Sequence, residues 1–259
     1  SSQLNNLNSA QLQLITATKL QGLTTTQVSQ LSSTQLNNLS SSQVQGLTTA
    51  QVNALTSSQL NALTSTQLQL VEVADLQSIS TTTVSNLSSV QLNALSSTQL
   101  QKLTSSQVQA LSSTQINALN SVQLKGLSVT EVQSLTSSQL NAMTSVALQA
   151  LENSDVQSLT TTQVRNLTSV TLNKLSTAQI QALSSSQLQA LTSTQLNGLN
   201  STQVVSLTSA SVQALTSTQL NALNSTVLQG IETSDLQALT SSQVSALSST
   251  QLNTLLTTQ

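Results

Sequence analysis

The sequence predicts an all-α fold, a tight solenoid of eight-residue repeats in which each repeat is a short, capped helical turn. Three observations predict it. An aliphatic residue stands at Leu4 and at every eighth position through Leu252, a second stands three residues later from Leu7 through Leu255, and Ser, Thr and Gln fill the interval between successive pairs. Thr216 to Leu223, T-S-T-Q-L-N-A-L, shows the pattern in its plainest form.

The aliphatic pair reads as helical because residues three apart share one face of a helix, whereas in a strand they point to opposite faces. A continuous helix is excluded by the period. Eight residues at about 100° each rotate the chain about 800°, so each pair is displaced about 80° from the one before and no seam survives. The helix must therefore break once per octad. Thr216 to Gln219 supplies the break: S/T-x-x-Q is a capping box, in which the hydroxyl accepts the third helical N–H and Gln reaches back to the N–H of the cap. The box recurs at Thr56 to Gln59, Ser112 to Gln115, Thr192 to Gln195 and Thr240 to Gln243. With no proline in the chain, hydroxyl caps must make the turns. Two buried aliphatics cannot offset the entropy of fixing eight residues, so an octad is stable only against neighbouring octads.

Composition narrows the functional classes. The 259 residues contain no His, Cys, Pro or aromatic residue, 5% are charged, and the net charge is −2. An aromatic core, disulfides and base-stacking aromatics are excluded, and the charge gives no electrostatic footprint for nucleic acid or anionic lipid. No apolar run approaches the roughly 18 residues of a membrane span. Nucleophilic catalysis by Ser or Thr needs a positioned base, and none is evident, so no catalytic or cofactor-binding residue is assigned. Residues 1–259 read as a single array of 32 octads plus a three-residue remainder, with no initiator Met, signal segment or atypical capping repeat, as expected of a window on a longer array.

Along the chain, departures from the octad are few. Leu14 and Leu70 add a third aliphatic beside the pair, and Lys19 replaces Gln as a solvated side chain. Gly22, Gly46, Gly126, Gly198 and Gly230 fall between the two aliphatics, where Ala, Asn, Ser and Lys also occur, so the position reads as sterically open, with glycine easing the helix end. Val28, Val52, Val84, Val108 and Val132 recur roughly every three octads, which predicts three to four octads per superhelical turn. A longer rhythm starts at Val71: V-E-V-A-D-L-Q-S at Val71 to Ser78 returns as L-E-N-S-D-V-Q-S at Leu151 and as I-E-T-S-D-L-Q-A at Ile231, 80 residues apart each time. Gene duplication explains that text, and so would ten octads closing a whole number of turns.

Glu72 with Asp75, Glu152 with Asp155 and Glu232 with Asp235 are the candidate chemistry. Each pair replaces the cap hydroxyl and the Gln of the box, so both carboxylates sit at a helix N-terminus, where the helix dipole favours negative charge. The functional alternative is a Ca²⁺ site, for which two carboxylates supply too few ligands; no metal ligand is assigned. Glu131, Lys102, Lys125, Arg165 and Lys174 do not recur at 80 residues and read as substitutions on an exposed face.

Runs of L-[ST]-[ST]-x-Q-[LIV]-x-A, as at Leu103 to Ala110 and from Leu191 through Gln195 onward, resemble the octapeptide tracts of very large bacterial secreted or surface proteins. The resemblance implies an extracellular structural or adhesive role. The expected function is accordingly non-enzymatic: a rod, stalk or filament subunit that self-associates, with no nucleic-acid partner and no cofactor. The alternative is an adhesin or surface-binding module presenting Ser/Thr/Gln arrays to ice or carbohydrate, with Thr24 to Thr26 and Thr160 to Thr162 as contacts. A β-solenoid or Gln/Asn-rich cross-β fibre is the alternative fold, encouraged by low charge and the lack of proline.

Overall fold

A computed structural model describes residues 6–255; Leu4, which opens the first aliphatic series, lies outside them. The described residues form 31 helices of four to six residues, from Ser9–Gln13 to Ser249–Thr254, and contain no strand, so the β alternatives find no support.

The break in each octad takes two consecutive extended residues. In the octad before Ser217–Asn221, Leu215 has φ −66° and ψ 139°, and Thr216 has φ −72° and ψ 155°. The second aliphatic closes each helix with a tightened bond, such as Leu223 N–H to Leu220 O at 3.3 Å, and the next residue is already a cap. No described residue adopts a positive φ. Ordinary residues can therefore make every corner, and the cap hydroxyl that accepts the third helical N–H holds it, contributing about 1 kcal/mol per helix.

The chain divides into two compact units, Ser1–Leu135 and Thr136–Gln259. Within the first, helices stack on those three octads further along: Ser33–Asn37 on Ser57–Ala62, and Thr49–Asn53 on Val73–Ser78. Within the second, Thr161–Arg165 stacks on Ser185–Ala190, which in turn stacks on Ser209–Ala214. Both units are repeat solenoids of short helices. Hydrogen-bonded partners on successive turns lie 25 to 31 residues apart, so a turn takes between three and four octads, as the valine spacing predicts. That window admits three turns in 80 residues, about 27 per turn, and excludes two or four.

Both aliphatic series face inward, except that Val244 and Leu252, at the end of the described residues, are 47% and 49% exposed. Leu60 and Leu92 in the first unit, and Leu140, Leu172 and Leu220 in the second, are fully buried. Glycine has a different task from the one expected. A Cβ on Gly46 would lie 2.7 Å from the Ala17 Cβ, and one on Gly198 would lie 2.6 Å from the Ser169 Cβ, each on the turn before. At these two positions the frame is sterically closed, and glycine permits close approach of a neighbouring turn; the helix end, in ordinary αR geometry, does not require it.

Candidate functional site

The repeated polar feature of the molecule is a row of buried glutamines. Each stands third in its helix and is only a few per cent exposed, as at Gln51 (2%), Gln107 (1%), Gln187 (2%) and Gln203 (1%). Burial at this position follows from the fold, because the residue precedes the first aliphatic and points toward the turn below.

Most of these amides do two jobs. In Gln187, Oε1 accepts the Ser184 backbone N–H at 2.8 Å while Ser184 Oγ accepts the Gln187 N–H at 3.3 Å, completing the capping box. Nε2 donates across the turn to Val156 O at 2.9 Å and Leu159 O at 2.7 Å. Gln51 repeats this on Leu20 O and Leu23 O, both at 2.9 Å, and Gln219 on Leu188 O and Leu191 O. The acceptors are the two aliphatic residues of the octad below. Their carbonyls sit at a helix C-terminus and have no full complement of partners within their own helix. Composition alone does not show this second role; the sign of it is the choice of Gln where Glu would serve equally well as a reciprocal cap. Only the amide carries a donor as well as an acceptor.

A second set of amides runs in the opposite direction. Asn61, next to Leu60, donates from Nδ2 to Asn86 O at 2.9 Å and accepts the Ser88 N–H at 2.7 Å. Asn141, Asn173, Asn197 and Asn221 make the same pair of bonds in the second unit. Gln in this place, as at Gln69 or Gln181, is seen to make the donor bond.

The acidic pairs occupy the cap and third helical position, as the box predicts. Glu72 and Glu232 are exposed and make no side-chain cap, whereas Asp75 and Asp235 are buried and accept hydroxyl hydrogen bonds from the preceding turn: Thr49 Oγ1 to Asp75 Oδ1 and Ser209 Oγ to Asp235 Oδ1, both 2.7 Å. In the third pair, Asp155 Oδ2 accepts the Glu152 N–H at 2.8 Å. Burial pushes the Asp155 carboxyl above its ordinary value, the Glu152 N–H opposes that rise, and the neighbouring Glu152 charge adds to it. Among the described residues no three His, Cys, Asp or Glu side chains cluster as a metal site would require.

Two residues expected on an exposed face are elsewhere. Glu131 is 3% exposed and takes the third helical position of the octad from Ser128, whose backbone N–H it accepts at 2.9 Å and whose hydroxyl it also engages. Lys174 is half-buried, and its Nζ donates to Met143 O at 2.7 Å. The reason is one turn of the frame: Thr171 replaces the Gln that would have served Met143 O, and the lysine supplies the missing donor. Lys19, Lys102, Lys125 and Arg165 are exposed. All of Thr24 to Thr26 and Thr160 to Thr162 are exposed, but Thr24 and Thr160 are also helix caps.

A family model described as the ALTTAQ repeat matches residues 71–105, 91–121, 148–185 and 172–201. In the frame of this chain that string falls on segments such as Ala94 to Gln99, A-L-S-S-T-Q, which span one corner from the second aliphatic, through the cap, to the bridging Gln. No curated protein matches the chain. No helix among the described residues is long and apolar enough to cross a membrane. The chain is thus a helical repeat protein whose matched segments are similar to the ALTTAQ repeat.

Proposed function

We propose that this protein is a non-enzymatic structural element, a rod, stalk or filament subunit working outside a bacterial cell and able to self-associate. The observation that carries the reading is the repetition of one interface. Gln43 in the first unit and Gln195 in the second bridge to carbonyls at the same two offsets, 31 and 28 residues back. An array joined this way lengthens without altering any contact, as a structural element requires. Five Lys and Arg residues leave few tryptic sites, which suits exposure to proteases, and the resemblance to octapeptide tracts of secreted and surface proteins supports the location. The test is a length series: inserting a second copy of residues 151–230 should raise the maximum dimension in small-angle scattering in proportion to chain length. Growth with the cube root of mass would defeat the reading.

A surface-binding module is the second reading, favoured by the exposed threonines at Thr24 to Thr26 and Thr160 to Thr162. It needs hydroxyls aligned in flat columns. A turn of between three and four octads staggers equivalent positions, and so weighs against it.

A further inference from the structure

The amide bridges between turns are not evenly distributed, and between residues 176 and 239 their gaps fall together. Gln179, Gln187, Gln195 and Gln203 each donate to two carbonyls of the turn below, so four consecutive octads, 176–207, are stapled to 148–175 without a gap. The next four octads, 208–239, carry Ser211, Gln219, Val227 and Asp235 at the same position. Only Gln219 bridges, to Leu188 O and Leu191 O. The Ser211 hydroxyl pairs with Thr208 Oγ1, Val227 has no polar atom, and Asp235 is an acceptor held by Ser209. Ile180, Leu183, Leu196, Leu199, Val204 and Leu207, the six residues whose carbonyls those three amides would have met, are themselves buried. On the outer face Val205 stands where Asn197 makes its two bonds, and it is 49% exposed.

We propose that the boundary between residues 176–207 and 208–239 is a built-in yield point: the segment 208–239 parts from 176–207 before 176–207 parts from 148–175. The cause is the hydrogen bonding. Outside the helices, every backbone–backbone bond among the described residues spans three or four positions, so polar links between turns fall to side chains. Where three of four adjacent amide donors are missing, leucine packing is left to hold the turn with few directional bonds. Because an octad cannot fold alone, parting at this boundary unfolds the segment as a block. Local opening of this kind lets an array lengthen under load and close again without rupture elsewhere.

Native-state amide hydrogen exchange followed by mass spectrometry on the intact chain tests this. Protection should fall in a step, with amides of 208–239 exchanging at least tenfold faster than those of 176–207. The triple variant Ser211→Gln, Val227→Gln, Asp235→Gln should slow exchange across 208–239 by at least tenfold, whereas the matched triple Met variant, which fills similar volume without a donor, should not. A smooth gradient of protection toward residue 255, or equal slowing by Gln and Met, would overturn the proposal.

Discussion

Asn197 closes a helix that belongs to the following turn of the solenoid: its Oδ1 accepts the Asn224 backbone N–H at 2.7 Å. In most octads that N–H goes to the Gln three residues later, but here the third helical residue is Val227, which has no acceptor; at Ser88 and Ser248 an Asn of the turn before takes the N–H even though Gln91 and Gln251 are present. Thr168 and Asn141 repeat the substitution, with Thr171 in place of Gln and a bond of 2.9 Å. A local cap and a contact between turns are interchangeable in this fold.

Asn197→Ala should therefore destabilise the chain by about 1 kcal/mol, since it removes a cap acceptor and the donor to Ala222 O together. Asn197→Asp keeps the acceptor and should cost less. Urea midpoints of the two variants, compared at neutral pH, decide between them.

Gln187→Glu tests the double role of the buried amide. The carboxylate can still accept the Ser184 N–H, but it has no donor for Val156 O and Leu159 O and places charge against them. The expected loss is at least about 2 kcal/mol, because a buried group stripped of its partner forfeits its full desolvation cost. If Gln187→Glu were as stable as the parent, the bridge would have no energetic weight.

Lys174 and Thr171 should behave as a coupled pair. Lys174→Met leaves Met143 O without its donor and should cost about 1–3 kcal/mol. Adding Thr171→Gln to that variant should recover most of the loss, while Thr171→Gln alone should change little, because the lysine already holds the carbonyl. A double-mutant cycle reads the coupling, expected to exceed about 0.5 kcal/mol, and strict additivity would remove the compensation argument.

Asp155 gives the chain a pH dependence of known sign. Its folded-state pKa lies above the ordinary carboxylate value, mainly through burial, so between the unfolded and folded pKa the folded chain holds more protons than the unfolded one. Its contribution to stability is greatest below that range and falls as pH rises through it. Asp155→Asn should remove this part of the slope. The comparison is the difference in melting temperature between variant and parent from acid to neutral pH, and that difference should move in the variant's favour as pH rises.

Glutamine and lysine mark the limit of what could be read from the text. The capping box at Thr216 to Gln219 is legible because its atoms are three residues apart, and a hydroxyl, an amide and the backbone suffice to define it. The Nε2 of the same Gln219 meets Leu188 and Leu191, and nothing in the octad says which earlier residues will lie beneath it. Glu131 and Lys174 read as exposed for the same reason, and Gly46 reads as an open position until Ala17 is found against it.

The sequence by itself determined the local chain path: where each helix starts, that it ends within eight residues, and which two side chains of an octad turn toward the core. These follow from caps and spacings that act over a few bonds. The valine spacing gives only the range of three to four octads per turn; which carbonyls, 25 to 31 residues away, each amide meets was decided by the tertiary structure. Octads that are nearly identical in text can stack at several offsets. The one adopted is fixed by side-chain amides finding carbonyls, and leucines finding space, on a turn that the chain reaches only after it has folded back on itself.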